Sequence, residues 1–308
     1  MPPSPSERSR QPDPAGSDPV DVLVIGGGAA GCVLAARLSE DPGTSVILVE
    51  AGPDVSADTV PPEIRSGYPG RAFFTRAYFH QDLTALLTDM PGGRPRVPAR
   101  YEQARVLGGG TSINGLVGNR GAPGDYDEWA ALGAEGWGWK DVQPLFRKLE
   151  RDLDFQDEHH GTDGPIPVRR LARADCSPFV HATVRALQAR GYRFIEDQNA
   201  VWEDGVMRVA VTLDENGHRV STATGYLTPS VRARPNLRIL TDATALRLTL
   251  DGRRVTGAEV ARGGTVLTLA ARETVVAAGA IGTPALLMRS GLGAAAALAQ
   301  VGVPVRAD

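Results

Sequence analysis

Two short apolar runs that flank a glycine-rich turn, within residues 21–52, constrain the fold of this chain more than any other feature. The first run leads into Gly26, Gly28 and Gly31, and the second run ends on Glu50. Glycines at this spacing permit a tight turn, leave room for a pyrophosphate beside the backbone, and let a helix pack closely on a strand. The pattern therefore predicts a strand-turn-helix-strand unit that binds a dinucleotide.

The ends of this unit indicate which dinucleotides suit it. A helix that begins after Gly28 would present free N–H groups and its positive dipole end to phosphates. Glu50 follows Gly31 by about twenty residues, a spacing at which a carboxylate can accept hydrogen bonds from a ribose diol and would repel a 2′-phosphate. FAD and NAD therefore fit this unit better than NADP, and the motif alone does not choose between them.

Composition argues against several classes of function. The 308 residues carry a formal net charge of -3, so no basic excess is present to neutralise a nucleic-acid backbone. The two cysteines, Cys32 and Cys176, lie far apart and form no disulfide framework, and Cys32 is expected to be a small buried hydrophobe. Residues 1–19 are rich in Pro, Ser, Asp and Arg without the apolar core of a signal peptide, and no apolar run is long enough to span a membrane. We therefore expect a disordered tail at 1–19, no membrane span, no nucleic-acid partner and a cytoplasmic location.

A second glycine-rich stretch, within residues 104–127, offers another phosphate site. Its glycines at 108–110 are followed by Thr111 and Ser112, whose hydroxyl groups can bind a phosphate together with backbone N–H groups. Asn114 adds a side-chain amide that could serve a ligand. From the residues alone, a glycine-rich turn that caps an ordinary helix explains this stretch equally well.

The C-terminal part of the chain changes to the alternating pattern of β-strands. The last strand runs into Gly279, and Thr283 with Pro284 is predicted to begin a helix that ends at Gly291. Since a strand that meets glycine and then a helix resembles the opening unit, this region is expected to return to the same sheet. The predicted strands are residues 237–240, 246–250, 255–260, 266–269 and 274–278, of which the middle three form a meander.

Adjacent histidines at His159 and His160 could bind a metal ion. No second pair of ligands stands at helical or hairpin spacing from them. We therefore expect a solvated loop at this position and no metal.

These segments together resemble one family, the glucose-methanol-choline (GMC) flavoprotein oxidoreductases, over residues 21–308. The turn GGGAAG with the later VEAG is similar to the FAD-binding start of the family, and residues 104–127 resemble its first signature. Residues 279–293, GAIGTPALLMRSGLG, match its second signature at every defined position. Two shorter matches agree: DYDEW at residues 125–129, and HG at 160–161 with GP at 164–165.

The resemblance implies an α/β fold, with a doubly wound, Rossmann-like FAD-binding domain that carries an inserted β-meander, and the first part of an α+β substrate domain. The FAD-binding domain would comprise residues 20–155 and 221–308, and residues 156–220 would begin the substrate domain. Glu50 would bind the adenosine ribose, and Ala245 would touch the adenine through its backbone. The residues expected to contact FAD are Gly26, Gly28, Ala29, Ala30, Gly31, Glu50, Ala51, Val106, Gly108, Gly109, Thr111, Asn114, Gly115, Val117, Ala245, Ala278 and Gly279.

Three features modify what the resemblance implies. Gly118 stands where the first signature usually has an aromatic residue or alanine, so the wall of the site is expected to be more open there. Ile113 occupies the position at which some members attach FAD covalently through a histidine, so FAD is expected to be bound non-covalently. The chain ends before the segment that carries the catalytic histidine of the family, and none of its five histidines matches that position.

The implied function is oxidation of an alcohol by hydride transfer to FAD. The partners would be a small-molecule alcohol and an unidentified electron acceptor. No catalytic residue is assigned within this chain, and we expect the chain alone not to turn over alcohols. Two alternatives stay open: a non-catalytic FAD- or dinucleotide-binding fragment, and another FAD- or NAD-dependent dehydrogenase that shares the opening motif.

Overall fold

The computed structural model describes residues 18–86 and 97–308. Most of the predicted tail, residues 1–17, lies outside the described residues. The strands are β1 (Val20–Ile25), β2 (Val46–Val49), β3 (Thr84–Ala85), β4 (Ala99–Arg100), β5 (Glu150–Asp152), β6 (Ile166–Arg170), β7 (Phe194–Ile195), β8 (Val206–Met207), β9 (Ala210–Val211), β10 (Leu237–Leu240), β11 (Ala243–Asp251), β12 (Arg254–Arg262) and β13 (Thr265–Val276). The α-helices are α1 (Ala29–Leu38), α2 (Pro62–Arg65), α3 (Gly70–Phe73), α4 (Gly110–Ile113), α5 (Pro123–Ala131), α6 (Trp139–Leu149), α7 (Pro178–Gln188), α8 (Thr222–Gly225), α9 (Pro229–Arg232), α10 (Gly279–Arg289) and α11 (Ala295–Gln300), and short 3-10 helices lie at Arg76–Tyr78 and Arg173–Asp175.

The opening unit forms the centre of a six-stranded sheet with the order β10-β2-β1-β13-β12-β11. β1 pairs in parallel with both β2 and β13, and β2 pairs in parallel with β10. β11, β12 and the first half of β13 form an antiparallel meander. These pairings confirm the predicted α/β class, the meander and the return of the C-terminal region to the first sheet.

Apolar side chains cover both faces of the parallel part of this sheet, which explains why β1 and β2 are continuous apolar runs. Val24 and Leu48 belong to one core cluster together with Cys32 of α1, whereas Leu23 belongs to a second cluster together with Leu286 of α10. Successive side chains of a strand point to opposite faces. The helices α1 and α10 therefore cover opposite faces of the sheet, and Cys32 is fully buried as predicted.

The strands predicted at residues 266–269 and 274–278 are one continuous strand, β13. Up to Ala270 this strand pairs antiparallel with β12, and from Ala271 it pairs in parallel with β1. The prediction of two strands was wrong because the polar residues Arg272 and Glu273 mark a change of partner rather than a turn.

The helix predicted to begin at Thr283 and Pro284 starts earlier, at Gly279. Ala278 is the residue before its first turn, so Thr283 and Pro284 both lie inside the helix. Gly279 has a φ of +80°, and the chain therefore turns from strand into helix at the glycine itself. The predicted cap was wrong because the helix begins at the glycine that follows the strand, about one turn before the Thr-Pro pair.

A separate three-stranded sheet has the order β5-β6-β9. Its strands β5 and β6 are parallel, and β6 and β9 are antiparallel. Val211 of β9 forms a bridge with Val117, so this sheet adjoins the second glycine-rich stretch. The division into domains at residues 155/156 and 220/221 stays a prediction. Within residues 18–86 and 97–308, no helix is both long and apolar enough to cross a membrane.

Candidate functional site

The first glycine-rich turn depends on close contacts that only glycine permits. Gly26 has a φ of +103°, and a Cβ atom there would lie 2.5 Å from the carbonyl oxygen of Ala277. A Cβ atom at Gly31 would overlap the carbonyl oxygen of Gly26. Glycine at these positions therefore brings α1 against the end of β1, and brings β1 against the end of β13 beside Ala278 and Gly279.

Gly28 differs from the other glycines of this turn because it faces open space. A Cβ atom at Gly28 would meet no atom within 4 Å, and its φ of -75° and ψ of -163° suit any residue. Ala29 and Ala30, the first two residues of α1, are exposed. Free N–H groups at a helix N-terminus favour an anionic ligand. The space beside Gly28 therefore fits the pyrophosphate that the motif predicts.

Glu50 ties the first turn to the end of β2. Its Oε2 accepts a hydrogen bond from the Gly27 N–H at 2.8 Å, and its Oε1 accepts one from the Gly52 N–H at 2.8 Å. Burial raises the pKa of this carboxyl group, and these backbone donors oppose the rise. Each carboxylate oxygen has a further lone pair, so the side chain can hold the turn and still accept from a ribose hydroxyl.

The second glycine-rich stretch packs directly on the first. The Gly108 N–H donates to the Gly27 carbonyl oxygen at 2.7 Å. Gly109 has a φ of +54°, and a Cβ atom there would lie 2.7 Å from the Cα of Gly28. The neighbouring Val106 side chain is fully buried, so only its backbone could contact a ligand. Tertiary structure thus joins the two stretches into one site.

The hydroxyl groups expected to bind phosphate are already engaged by the protein. Thr111 Oγ1 donates to the Gly108 carbonyl oxygen at 2.6 Å and accepts from the Thr222 N–H at 3.1 Å. Ser112 is fully buried and donates to the Leu107 carbonyl oxygen at 2.8 Å. The expectation for Ser112 was wrong because its hydroxyl group stabilises the turn from inside.

A buried arginine that the sequence does not single out, Arg219, holds Asn114. Its Nη1 donates to Asn114 Oδ1 at 2.9 Å, and its Nη2 donates to the Asn114 carbonyl oxygen at 2.8 Å. The Leu116 N–H donates to the same Oδ1 at 3.0 Å. The amide oxygen of Asn114 therefore serves the protein, and its Nδ2 group is the part left for a ligand.

Several other predicted contact residues lie around these turns. Ala51 directly follows Glu50, and Gly115 is exposed. Ala245 lies in β11 shortly after Ala243, whose N–H donates to the Glu50 carbonyl oxygen at 2.9 Å. Ala51 thus lies next to the end of β2 in the chain, Ala245 lies close in the chain to a residue that bonds to this end, and Gly115 belongs to the second glycine-rich stretch. The contacts of all three residues with a cofactor stay predictions.

A cavity of about 610 Å³ lies beside the N-terminus of α1. Its lining is mainly apolar and comes in part from α6, β6 and the segment after β9, which sequence reasoning did not connect with the site. Gly118, where a more open wall was expected, also lines it. The predicted contact residues in the lining are Ala29, Ala30, Thr111, Asn114 and Val117, and the added apolar residues include Phe146, Leu149, Ile166, Val168 and Val220.

A buried ionic cluster adjoins this cavity through Arg120 and Glu150, which pair with each other and line the wall. His160 is 1% exposed, with Nδ1 3.1 Å from Glu150 Oε1 and 3.0 Å from Asp152 Oδ2. Its Nε2 lies 2.8 Å from Asp197 Oδ2. The expectation of a solvated loop was wrong for His160, because carboxylates from three other positions surround its ring.

The charges of this cluster balance. Burial alone would lower the pKa of His160, but its hydrogen bonds to the three carboxylates raise the pKa to about 11, so the ring is protonated at neutral pH. Arg120 and Arg170 supply the other two cations. Glu150, Asp152 and His160 lie close enough together to hold a metal ion. A divalent cation would, however, add to a set of charges that is already balanced.

The side chains that line the cavity in the described chain are suited to binding and orienting a ligand rather than to transferring a proton. In the described chain, Arg120 and Glu150 are the titratable residues of the cavity lining, and they pair with each other. The groups that face a ligand are the N–H donors at the start of α1, the Asn114 amide and the apolar walls. This set fits a dinucleotide whose phosphates lie at the glycines and whose ring system enters an apolar cavity.

Similarity to known proteins extends over nearly the whole chain. The family described as GMC oxidoreductase matches residues 20–305. The 5-(hydroxymethyl)furfural oxidase of Methylovorus sp. (strain MP688) is 46% identical over 293 residues, which cover 94% of this chain and 55% of that protein. The chain thus spans about half the length of the curated relatives it matches.

Solved structures share the fold. Pyridoxine 4-oxidase from Mesorbium loti superposes with a TM-score of 0.85 and 34% identity, over 94% of this chain and 55% of that one. A FAD-dependent oxidoreductase from Chaetomium thermophilum superposes with a TM-score of 0.83 and 28% identity, over 94% of this chain and 50% of that one. The α/β architecture described above is therefore that of known oxidoreductases.

Proposed function

The chain belongs to the GMC oxidoreductase family, and on this basis we propose that it binds FAD non-covalently and forms the FAD-binding part of an enzyme that oxidises an alcohol. The observation that carries the proposal is the contact between the two glycine-rich stretches. Gly109 lies against Gly28, beside the exposed start of α1 and the apolar cavity. This combination of N–H donors and apolar walls suits a ligand that carries a diphosphate next to a ring system.

The residues of this chain would hold and shield the cofactor. The N–H groups at the start of α1 would bind the pyrophosphate, and Glu50 would accept hydrogen bonds from the ribose. Bound FAD would supply the acceptor for a hydride from the substrate. The apolar lining would exclude water from that reaction. Since the cavity lining in the described chain offers no free base, we propose that the base comes from another part of the whole protein.

We propose a small alcohol as the substrate class of the whole enzyme. Two relatives are named for small organic substrates, 5-(hydroxymethyl)furfural and pyridoxine. Both of these compounds carry a hydroxymethyl group on a ring. A hydroxymethyl group is therefore the first substrate feature to be tested.

Gly28→Val tests the cofactor assignment. The protein can accommodate the side chain because no atom lies within 4 Å of the added Cβ and the backbone angles are ordinary. The valine would occupy the space of the pyrophosphate, so we expect FAD affinity to fall at least about tenfold. Titration of the cofactor-free protein into FAD, followed by flavin fluorescence, measures this change, with NAD titrated in parallel.

Gly124→Val is the matched control for that experiment. Gly124 lies in α5 outside the cavity lining, and an added Cβ there also meets no atom within 4 Å. This variant should bind FAD like the parent protein. Parent-like affinity in Gly28→Val would contradict the pyrophosphate position, and a parent protein that binds NAD but not FAD would contradict the choice of cofactor.

The non-covalent attachment can be tested separately. Ile113 is 6% exposed, belongs to the hydrophobic core and carries no nucleophile. We therefore expect acid precipitation of the FAD-loaded protein to release all flavin into the supernatant. Yellow colour that stays with the washed pellet would show a covalent bond to some other residue.

A further inference from the structure

Arg219 is a buried cation whose side-chain hydrogen bonds all go to neutral acceptors. It is 3% exposed, and its Nε donates to the Ile64 carbonyl oxygen at 3.1 Å. Its Nη1 also donates to the Thr111 carbonyl oxygen at 3.2 Å, in addition to its bond with Asn114 Oδ1. No carboxylate in residues 18–86 and 97–308 pairs with it.

Burying a charge without a counter-ion costs free energy, because the group loses its hydration and only its hydrogen bonds compensate for that loss. Burial lowers the pKa of Arg219 to about 10, so the guanidinium group stays charged at neutral pH. A guanidinium group donates in several fixed directions at once, which a neutral side chain of similar size cannot do. The contribution of Arg219 therefore lies in the groups that it holds, which are the backbone at Thr111 and both oxygens of Asn114.

Two donors settle the orientation of the Asn114 side-chain amide. The Leu116 N–H and Arg219 Nη1 can only donate, so the atom that receives both must be Oδ1. Nδ2 therefore lies on the other branch of the amide. Asn114 is exposed and lines the cavity, and within the described chain no group accepts from its Nδ2. Its two N–H bonds are available to a ligand.

The same oxygen helps to hold a loop of unusual conformation. Leu116 has a φ of +69°, its side chain packs with Val211 and Leu213, and its carbonyl oxygen accepts from the Thr212 N–H at 2.9 Å. Because Leu116 and Arg219 both engage Oδ1, rotation of the Asn114 amide would break two hydrogen bonds.

We propose that Arg219 is a positioning residue, which fixes the Asn114 amide so that Nδ2 donates to an acceptor atom of the cofactor. The inference rests on the proposed function, because FAD is the molecule that supplies the acceptor. Arg219 acts through Asn114 and does not contact the cofactor itself.

Asn114→Asp separates this role from a purely structural one. The carboxylate has nearly the same shape, keeps an oxygen for the Leu116 N–H and gives Arg219 a counter-ion, but it has no Nδ2 donor. We expect the cofactor-free variant to unfold at the same temperature as the parent protein or higher. FAD affinity, measured by the fluorescence titration above, should fall at least about tenfold. A structural role alone would leave that affinity unchanged.

Two further variants complete the test. Asn216→Asp makes the same substitution at an exposed position outside the cavity lining, and should bind FAD within about threefold of the parent. Arg219→Lys keeps the charge but loses the fork that reaches both Asn114 oxygens, and should bind FAD about tenfold more weakly.

Parent-like affinity in Asn114→Asp or Arg219→Lys, or an equal loss in Asn216→Asp, would overturn the inference. FAD binding by the parent protein would still support the proposed function in that case. A parent protein that does not bind FAD would overturn both. If Arg219→Lys fails to fold, the comparison of the two aspartate variants decides.

Discussion

Asp152→Asn is expected to lower the free energy of unfolding by about 3 to 5 kcal/mol, because it removes one partner from a buried set of charges. Asp152 is 3% exposed and pairs with Arg170 and protonated His160. The amide would leave both cations without a full counter-charge in a site that water does not reach. Urea unfolding of parent and variant, monitored by tryptophan fluorescence, measures the difference.

Asp157→Asn provides the control for this effect. The Asp157 side chain is 49% exposed and lies 3.9 Å from His160 Nε2, so it faces the same ring from the solvent side. An exposed pair of this kind contributes little, and we expect a change within about 0.5 kcal/mol. Equal stability of parent protein and Asp152→Asn would show that the cluster does not form in solution.

The same cluster is expected to lose its stabilising effect at both low and high pH, for two different reasons. Burial alone would raise the pKa of Asp152, but hydrogen bonds from His160 and Arg170 outweigh burial and hold the pKa below its usual 3.8, so its contribution is lost as the pH falls below that value. The pKa of His160 is raised from 6.5 to about 11, so its contribution is complete below pH 6.5 and shrinks as the pH rises towards 11. In His160→Gln, this alkaline loss of stability should disappear.

Gly31→Ala is expected to lower the free energy of unfolding by about 3 kcal/mol or more and to abolish FAD binding. The added Cβ would overlap the carbonyl oxygen of Gly26, and Gly26 has no room to retreat because it packs against Ala277. The helix α1 must therefore move away from β1, which opens the core on that face of the sheet. Thermal unfolding and the FAD titration measure the two effects.

Gly28→Ala separates the two effects. Its Cβ enters open space, so stability should change by no more than about 1 kcal/mol, the usual cost of alanine at the start of a helix, while FAD affinity still falls. If Gly31→Ala were as stable as Gly28→Ala, close packing of the helix on the strand would not hold in solution.

The opening unit could be predicted from the sequence because its signals are local. Strand β2 has the predicted bounds, and β1 and α1 surround the glycines as expected. Local periodicity missed the structure where a strand changes partner. Arg272 and Glu273 interrupt the apolar pattern in the middle of β13, yet backbone pairing continues through them because it does not depend on side-chain type.

The second glycine-rich stretch shows where local information ends. From the residues alone it could equally be a phosphate site or an ordinary helix cap. The hydrogen bond from Gly108 to Gly27 decides that it adjoins the first stretch, and this bond forms between segments that are far apart in the chain.

The amino-acid sequence by itself determined the α/β sheet, the glycine turns and the carboxylate at Glu50, since these depend on periodicity and backbone freedom within short segments. Tertiary structure alone decided that His160 and Arg219 are buried and what each of them holds. A charged side chain enters the interior only where partners from other segments meet it. Partners such as Asp197 for His160 and Asn114 for Arg219 come together only when the chain has folded.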